Sequence, residues 1–197
     1  METMQAVLKA EAGPGMTLTQ QEIPQPGPRD VLIRVQATSI CGTDVHIYNW
    51  DPWSQGRIRP PVIVGHEFAG EIVEVGNAVR DEEPQVGDFV SAESHIVCGI
   101  CQQCRLGKSH VCQNTRIIGV DVDGCYAEYI AIPVDNAWKN PPDMPLPVAS
   151  LQENFGNAVH TVSSADVRGK TVLITGCGPA GLMSIPVARA FGAEVIV

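Results

Sequence analysis

The sequence has no excess of basic residues, no long apolar run and no internal repeat or low-complexity tract. Lys and Arg number 13 against 22 Asp and Glu in 197 residues, a formal charge of −9. A nucleic-acid binder carries a basic stripe, so this balance argues against one. No stretch approaches the ~18 uninterrupted apolar residues that mark a membrane-spanning helix. Met1 to Lys9 carries Glu2 early and lacks a basic region followed by an apolar core, so no secretory signal and no membrane partner are expected. Hydrophobic residues at 44% and charged residues at 18% match ordinary globular usage, which excludes a collagen-like chain or a long disordered tail. The length allows one large domain or two small ones.

A disulfide framework is also missing. The seven cysteines are an odd number with no signal peptide, which points to a reducing, cytoplasmic compartment. Four of them, Cys98, Cys101, Cys104 and Cys112, share the run CGICQQCRLGKSHVC. Two successive C-x-x-C steps and a fourth Cys can fold back to offer four thiolates in a tetrahedron, the preference of zinc. Four sulfurs close the shell, so such a site is structural. An iron–sulfur cluster also takes four thiolates, but the loop lacks the ferredoxin-type spacing.

Short β-rich runs bounded by Gly and Pro fill the first two-thirds: QAVLKA, DVLIRVQA, FAGEIVEVG, GDFVSA and GCYAEYIAI. They predict a small barrel or sandwich with the cysteine loop as an excursion between two strands. Pro141, Pro142, Pro145 and Pro147 exclude a central strand or a long helix there. Beyond them the pattern predicts a helix over Leu151–Val162. It then predicts a strand over Thr171–Thr175, buried on both faces, a helix from about Pro179 to Phe191 and a second strand opening at Ala193. Pro186 lies inside that last helix, where it removes one backbone bond and should kink the helix or cost about 3 kcal/mol or more.

Gly176, Gly178 and Gly181 form G-x-G-x-x-G between the expected strand and helix, the context a dinucleotide site requires. Gly176 suits a tight turn, Gly178 a close approach of pyrophosphate, and Gly181 close helix–strand packing. The helix N-terminus offers free N–H groups, and Pro179 fits its first turn. The acidic residue that selects NAD over NADP lies ~20 residues beyond the glycines, at or past Val197. The β-α-β unit therefore reads as the start of a longer enzyme.

Cys41 lies in SICGTDVHIYNW, and His66 and Glu67 in Val64–Phe68. A Cys, a His and a carboxylate are a normal three-ligand set for catalytic zinc with one open position. Zinc acidifies an alcohol so that hydride can leave for a nicotinamide. Thr43 and His46 follow Cys41 closely, and a hydroxyl with an imidazole of pKa about 6.5 makes a proton exit path. Trp50 and Trp53 either line the cleft or anchor the loop. Cys125 and Cys177 read as small core or turn residues, and His110 and His160 as structural.

Taken in order, the Cys41 segment, the Gly-His-Glu run, the four-Cys loop and the glycine turn resemble the zinc-dependent medium-chain alcohol dehydrogenases over essentially the whole chain. The resemblance implies an α/β fold with a β-rich part. Residues 1–150 would be a GroES-like, partly open β-barrel catalytic domain, and 151–197 the first, truncated β-α-β of a Rossmann domain. It implies that Cys41, His66 and Glu67 bind catalytic zinc, that Thr43 and His46 relay the proton, and that Glu153 supports the relay near the metal. Polyol-oxidising relatives use a matching acid as a direct ligand, so Glu67 or Glu153 is the resting third ligand. Cys98, Cys101, Cys104 and Cys112 would hold the structural zinc, and Gly176, Gly178, Pro179, Ala180 and Gly181 would line the pyrophosphate turn.

Ile40–Gln55, Ser94–Cys101 and Leu151–Val162 look most like the branch of this family that oxidises L-threonine. That likeness implies oxidation of the 3-hydroxyl to 2-amino-3-oxobutanoate with NAD, two zinc ions per chain and a homotetramer. It also matches His95 to a histidine near the substrate, although a loop histidine bonded to backbone is the plainer reading. A polyol or butanediol dehydrogenase, and a non-catalytic zinc-binding fragment, are the alternatives.

Overall fold

Alternation of apolar residues along the β-rich runs becomes two main sheets, linked by the isolated bridge between Ala6 and Ala127. The computed structural model describes residues 2–197. In chain order, β1 (Thr3–Lys9), β2 (Thr17–Glu22) and β3 (Asp30–Thr38) precede two short helices, α1 (Gly42–Asn49) and α2 (Pro52–Arg57). Then come β4 (Val62–Ile63), β5 (Phe68–Val75) and β6 (Phe89–Ala92). β7 (His95–Ile96) and β8 (Arg116–Ile117) bracket the cysteine loop, which contains the one-turn helix α3 (Gln102–Arg105). β9 (Tyr129–Pro133) and β10 (Ala137–Lys139) are followed by α4 (Leu146–Ala149), α5 (Gln152–Ser163), β11 (Thr171–Val172), α6 (Pro179–Ala190) and β12 (Val195–Ile196).

β3 is an interior strand of the larger sheet, ordered β10-β6-β5-β3-β9, with antiparallel neighbours throughout. Its Val31 and Ile33 meet Phe68, Ile72, Val90 and Ile132 in the main core. Register shifts between β3 and β5 at Leu32/Ile33 and Val35/Ala37 bend the sheet. The smaller sheet runs β2-β1-β4. It joins the larger one where Val7 N–H donates to the Tyr126 carbonyl at 2.7 Å. The result is the partly open β architecture expected from the sequence, with the cysteine loop set between the paired strands β7 and β8.

One charged group is folded into this framework. Lys9, 1% exposed, donates through Nζ to the carbonyls of Gly13 and, at 2.9 Å, Gly15. Its ammonium also sits 4.7 Å from the centre of the Trp50 ring. Trp50 closes α1 in the left-handed conformation (φ 56°). Of the two readings for this residue, anchoring is the one its contacts fit.

One expectation needs correction. The run Thr171–Thr175 is not a strand buried on both faces. Thr171 and Val172 pair in parallel with Val195 and Ile196, Ile174 N–H donates on to the Val197 carbonyl at 2.7 Å, and Leu173 is 70% exposed. Burial on both faces requires a layer on each, whereas here α5 and α6 supply one, through Val162, Val187 and Ala188. Pro186 sits within α6, which runs as one helix from Pro179 to Ala190. The cost is the backbone hydrogen bond to the Leu182 carbonyl, which a proline cannot make. Among the described residues no helix is long and apolar enough to cross a membrane.

Candidate metal centres

The chain reaches the first centre through a glycine. Gly65 has φ +89°, and a side chain there would strike the Tyr126 ring, while Cys125 N–H donates to its carbonyl at 2.9 Å. This turn delivers His66 and Glu67, both buried, to the entry of β5. Cys41 caps the N-terminus of α1 from the other side. One ligand-capable atom each of Cys41, His66 and Glu67 lies within 4.8 Å of the others.

The electrostatics of this trio are unsettled without a cation. Ser39 donates to Glu67 Oε2, but Glu67 Oε1 and His66 Nδ1 are buried and have no hydrogen-bond partner. Such orphaned atoms are costly in a folded interior, and a cation bound at Glu67 Oε1 would remove the cost there. The Cys41 thiol is held below its ordinary pKa, chiefly by its hydrogen bond with His66. Burial pulls the His66 pKa down, yet the bond to Cys41 and the Asp44 charge carry it up to about 9. Both shifts favour the charged forms of the pair, which is the charge pattern a metal ion would replace by taking the place of the ring proton. Soft sulfur, imidazole and carboxylate together suit zinc.

Asp44 was not legible as a site residue. It is 3% exposed, accepts the Cys41 N–H at 2.8 Å and the Tyr126 hydroxyl at 2.8 Å, and its Oδ1 faces His66 Nδ1 at 3.8 Å. A carboxylate behind a ligating histidine orients the ring. The only sequence signal was the Cys41-x-x-Asp44 spacing, a helix-start pattern.

Around the trio, Thr43 Oγ1 lies 3.7 Å from Cys41 Sγ. His46, on the same helix, pairs through Nδ1 with Asp51 Oδ2 at 2.6 Å and tilts against Trp53, ring centres 6.2 Å apart. Glu153 opens α5 and accepts from Ser94 at 2.7 Å; it is close enough to raise the His66 pKa. His95 bonds the Glu93 carboxylate at 2.6 Å, which raises its pKa, and Glu93, His95 and Glu153 cluster within 4.8 Å. The ring is therefore held by a carboxylate and not by backbone. The His110 and His160 rings meet at a tilt of 52°, with centres 5.1 Å apart. Cys125 is fully buried and Cys177 is exposed in the glycine turn.

The second centre is the cysteine loop. Sγ separations are 3.5 Å for Cys101–Cys104, 3.9 Å for Cys101–Cys112 and 3.5 Å for Cys98–Cys112. A tetrahedral zinc with bonds of about 2.3 Å sets its sulfurs about 3.8 Å apart. Backbone N–H groups of Cys101 and Asn114 point at the sulfurs, at 3.4 and 3.3 Å. The Asn114 amide leads in lowering Cys98 to about 6, while burial leads in pushing Cys104 up to about 12. Four thiols so close cannot all ionise without a cation to share.

In the glycine turn, Gly176 has φ +95° and Gly178 caps α6 with Pro179 in its first turn. A side chain on Gly178 would meet nothing, so the space beside it is free for a ligand's approach. A Cβ on Gly181 would collide with the Gly176 carbonyl and lie 3.7 Å from the Ile174 side chain, so glycine lets the start of α6 close against the end of the strand run.

The chain matches the family model of the alcohol dehydrogenase GroES-like domain over residues 27–142. It is 57% identical over 196 residues to the L-threonine 3-dehydrogenase of Symbiobacterium thermophilum, covering 100% of this chain and 55% of that one. The enzyme of the same name from Pyrococcus horikoshii is 56% identical, with 100% and 56% covered. A Sinorhizobium meliloti dehydrogenase structure bound to NADP superposes with a TM-score of 0.89 at 35% identity, covering 100% of this chain and 56% of that one. The chain thus spans about half the length of the curated relatives it matches. On the GroES-like match and these relatives together, the chain belongs to the zinc-dependent medium-chain alcohol dehydrogenase family.

Proposed function

We propose that this chain carries the catalytic centre of an NAD-dependent L-threonine 3-dehydrogenase. The reaction converts L-threonine and NAD to 2-amino-3-oxobutanoate, NADH and a proton. The observation that carries this reading is the trio of half-buried Cys41 with buried His66 and Glu67, and its unpartnered polar atoms. The names of the relatives supply the substrate.

In this reading Cys41, His66 and Glu67 hold one zinc ion, and Cys98, Cys101, Cys104 and Cys112 a second. Zinc at the first site supplies a Lewis acid that lowers the pKa of an alcohol. Thr43, beside Cys41, takes the hydroxyl proton, and His46 passes it to water from its exposed position. Glu153 balances charge near the trio while Ser94 holds its carboxylate. His95 stands where it can meet the substrate's charged groups. Asp44 and Ser39 keep His66 and Glu67 in place. The turn Gly176, Gly178, Pro179, Ala180 and Gly181 receives the pyrophosphate of NAD, the hydride acceptor. The catalytic domain spans 1–150 and the cofactor domain begins at 151, in line with the separate apolar clusters of the two parts. A homotetramer in the cytoplasm completes the proposal.

The test is turnover by the enzyme that contains this chain, with zinc counted by mass spectrometry. NADH formation with L-threonine and two zinc ions per chain is the expected result. Reduction of NAD by 2,3-butanediol or sorbitol with none by L-threonine would overturn the substrate. Failure of the 197-residue chain to bind NADH would favour a zinc-binding fragment.

A further inference from the structure

Asp51 does two jobs with two oxygens. Oδ1 accepts the Ser54 N–H at 2.9 Å and so caps α2, while Oδ2 meets His46 Nδ1 at 2.6 Å. The carboxylate is held below the usual carboxylate range, first by the Ser54 bond and also by His46, so it is ionised at neutral pH. An ionised carboxylate only accepts. A bond at this length therefore requires the hydrogen to be on Nδ1. The corner is also held: Trp50, immediately before Asp51, lies under the buried Lys9 ammonium.

We propose that Asp51 is the positioning residue that fixes His46 in its Nδ1–H tautomer, leaving Nε2 with a free lone pair as the proton acceptor. This rests on the reading of His46 as the relay base. A neutral imidazole free in water favours neither face of the protein. Without a partner at Nδ1 the ring would rotate and spend part of its time with Nε2 protonated, unable to accept. The aspartate behind the histidine of serine proteases acts by the same physical logic.

The substitutions Asp51→Asn and Asp51→Ser separate capping from tautomer control. In D51N, Oδ1 still accepts from Ser54, but the amide now donates to Nδ1 and forces the hydrogen onto Nε2. In D51S the hydroxyl retains the cap and loses the histidine. Nitrogen-15 NMR of the histidine side chains, with His46 assigned by its absence in H46Q, reads the tautomer directly in the full chain. The expected result is Nδ1–H in the wild type, Nε2–H in D51N and a mixture in D51S, with melting temperatures of the two variants alike. Turnover should then fall on the order of 10- to 100-fold in D51N, and less in D51S. An Nε2–H tautomer in the wild type, or an unchanged tautomer in D51N, overturns the proposal. If the tautomers shift as stated and no variant oxidises L-threonine, the tautomer assignment stands and the reading of the activity fails.

Discussion

Ser94 donates to Glu153 across 2.7 Å, joining the turn after β6 to the first turn of α5. This bond holds the α5 carboxylate toward the Cys41–His66–Glu67 trio. Apart from the Asn157 amide at 3.2 Å, no other side chain hydrogen-bonds that carboxylate among the described residues. Ser94→Ala should lower the melting temperature by roughly 2–8 °C, from about 1–2 kcal/mol at ~2–4 °C per kcal/mol. Glu153→Gln should keep both zinc ions and cut turnover on the order of 10- to 100-fold. Loss of a zinc ion in Glu153→Gln would instead make Glu153 the resting ligand.

The two centres should separate by mutation. Cys41→Ala is expected to lose one zinc ion and all turnover while its circular dichroism stays native. Cys104→Ser should lose the other ion and lower the melting temperature by roughly 10 °C, about 3 kcal/mol at this chain length. Zinc content and melting curves on the same samples decide the matter; an unchanged melt and full zinc content in Cys104→Ser contradicts a structural site.

Gly178 and Gly181 should fail differently when replaced by alanine. A methyl on Gly178 meets nothing in the protein, and its φ of −76° suits any residue. Gly178→Ala should therefore melt like the wild type and bind NADH on the order of tenfold more weakly, as a methyl obstructs the pyrophosphate. Gly181→Ala pushes against the Gly176 carbonyl and should destabilise by about 1–3 kcal/mol. Equal NADH affinity in Gly178→Ala and the wild type would remove the turn from the cofactor site.

Glu83 carries a pH signature. It takes a forked pair of hydrogen bonds from Arg29 at 2.6 and 2.9 Å, with Arg80 N–H at 2.8 Å, and Arg29 leads in holding its carboxyl well below the usual range. The folded pKa lies below the unfolded one. The stabilisation is thus complete above the ordinary carboxylate pKa of about 4.3 and lost as pH falls through the folded value. Glu83→Gln should melt lower than the wild type at pH 7, and the gap should close in acid. A gap that persists unchanged in strong acid would contradict this.

What could be read from the sequence was chemistry at fixed spacing. The four thiolates and the Gly-His-Glu run declare themselves because ligand geometry constrains how far apart along the chain they can be. Asp44 escaped because its role depends on Tyr126, 82 positions away, and Asp51 because it acts only once α1 and α2 turn a corner. Those helices were themselves unread. Along α1 only Asp44 and Ile47 are buried, so no apolar stripe repeats every three to four residues. The strand at Thr171 was overcalled for the opposite reason: its sequence is apolar, but burial is set by neighbours, not by composition.

Lys9 has a practical consequence. Lys108, Lys139 and Lys170 all stand exposed, while the Lys9 amine is wrapped by two carbonyls and an indole face. Acylating reagents should reach it last, and trypsin should spare its peptide bond until the first strand peels away. Mass-spectrometric labelling at this one position therefore reports whether the corner that carries His46 and Asp51 is docked.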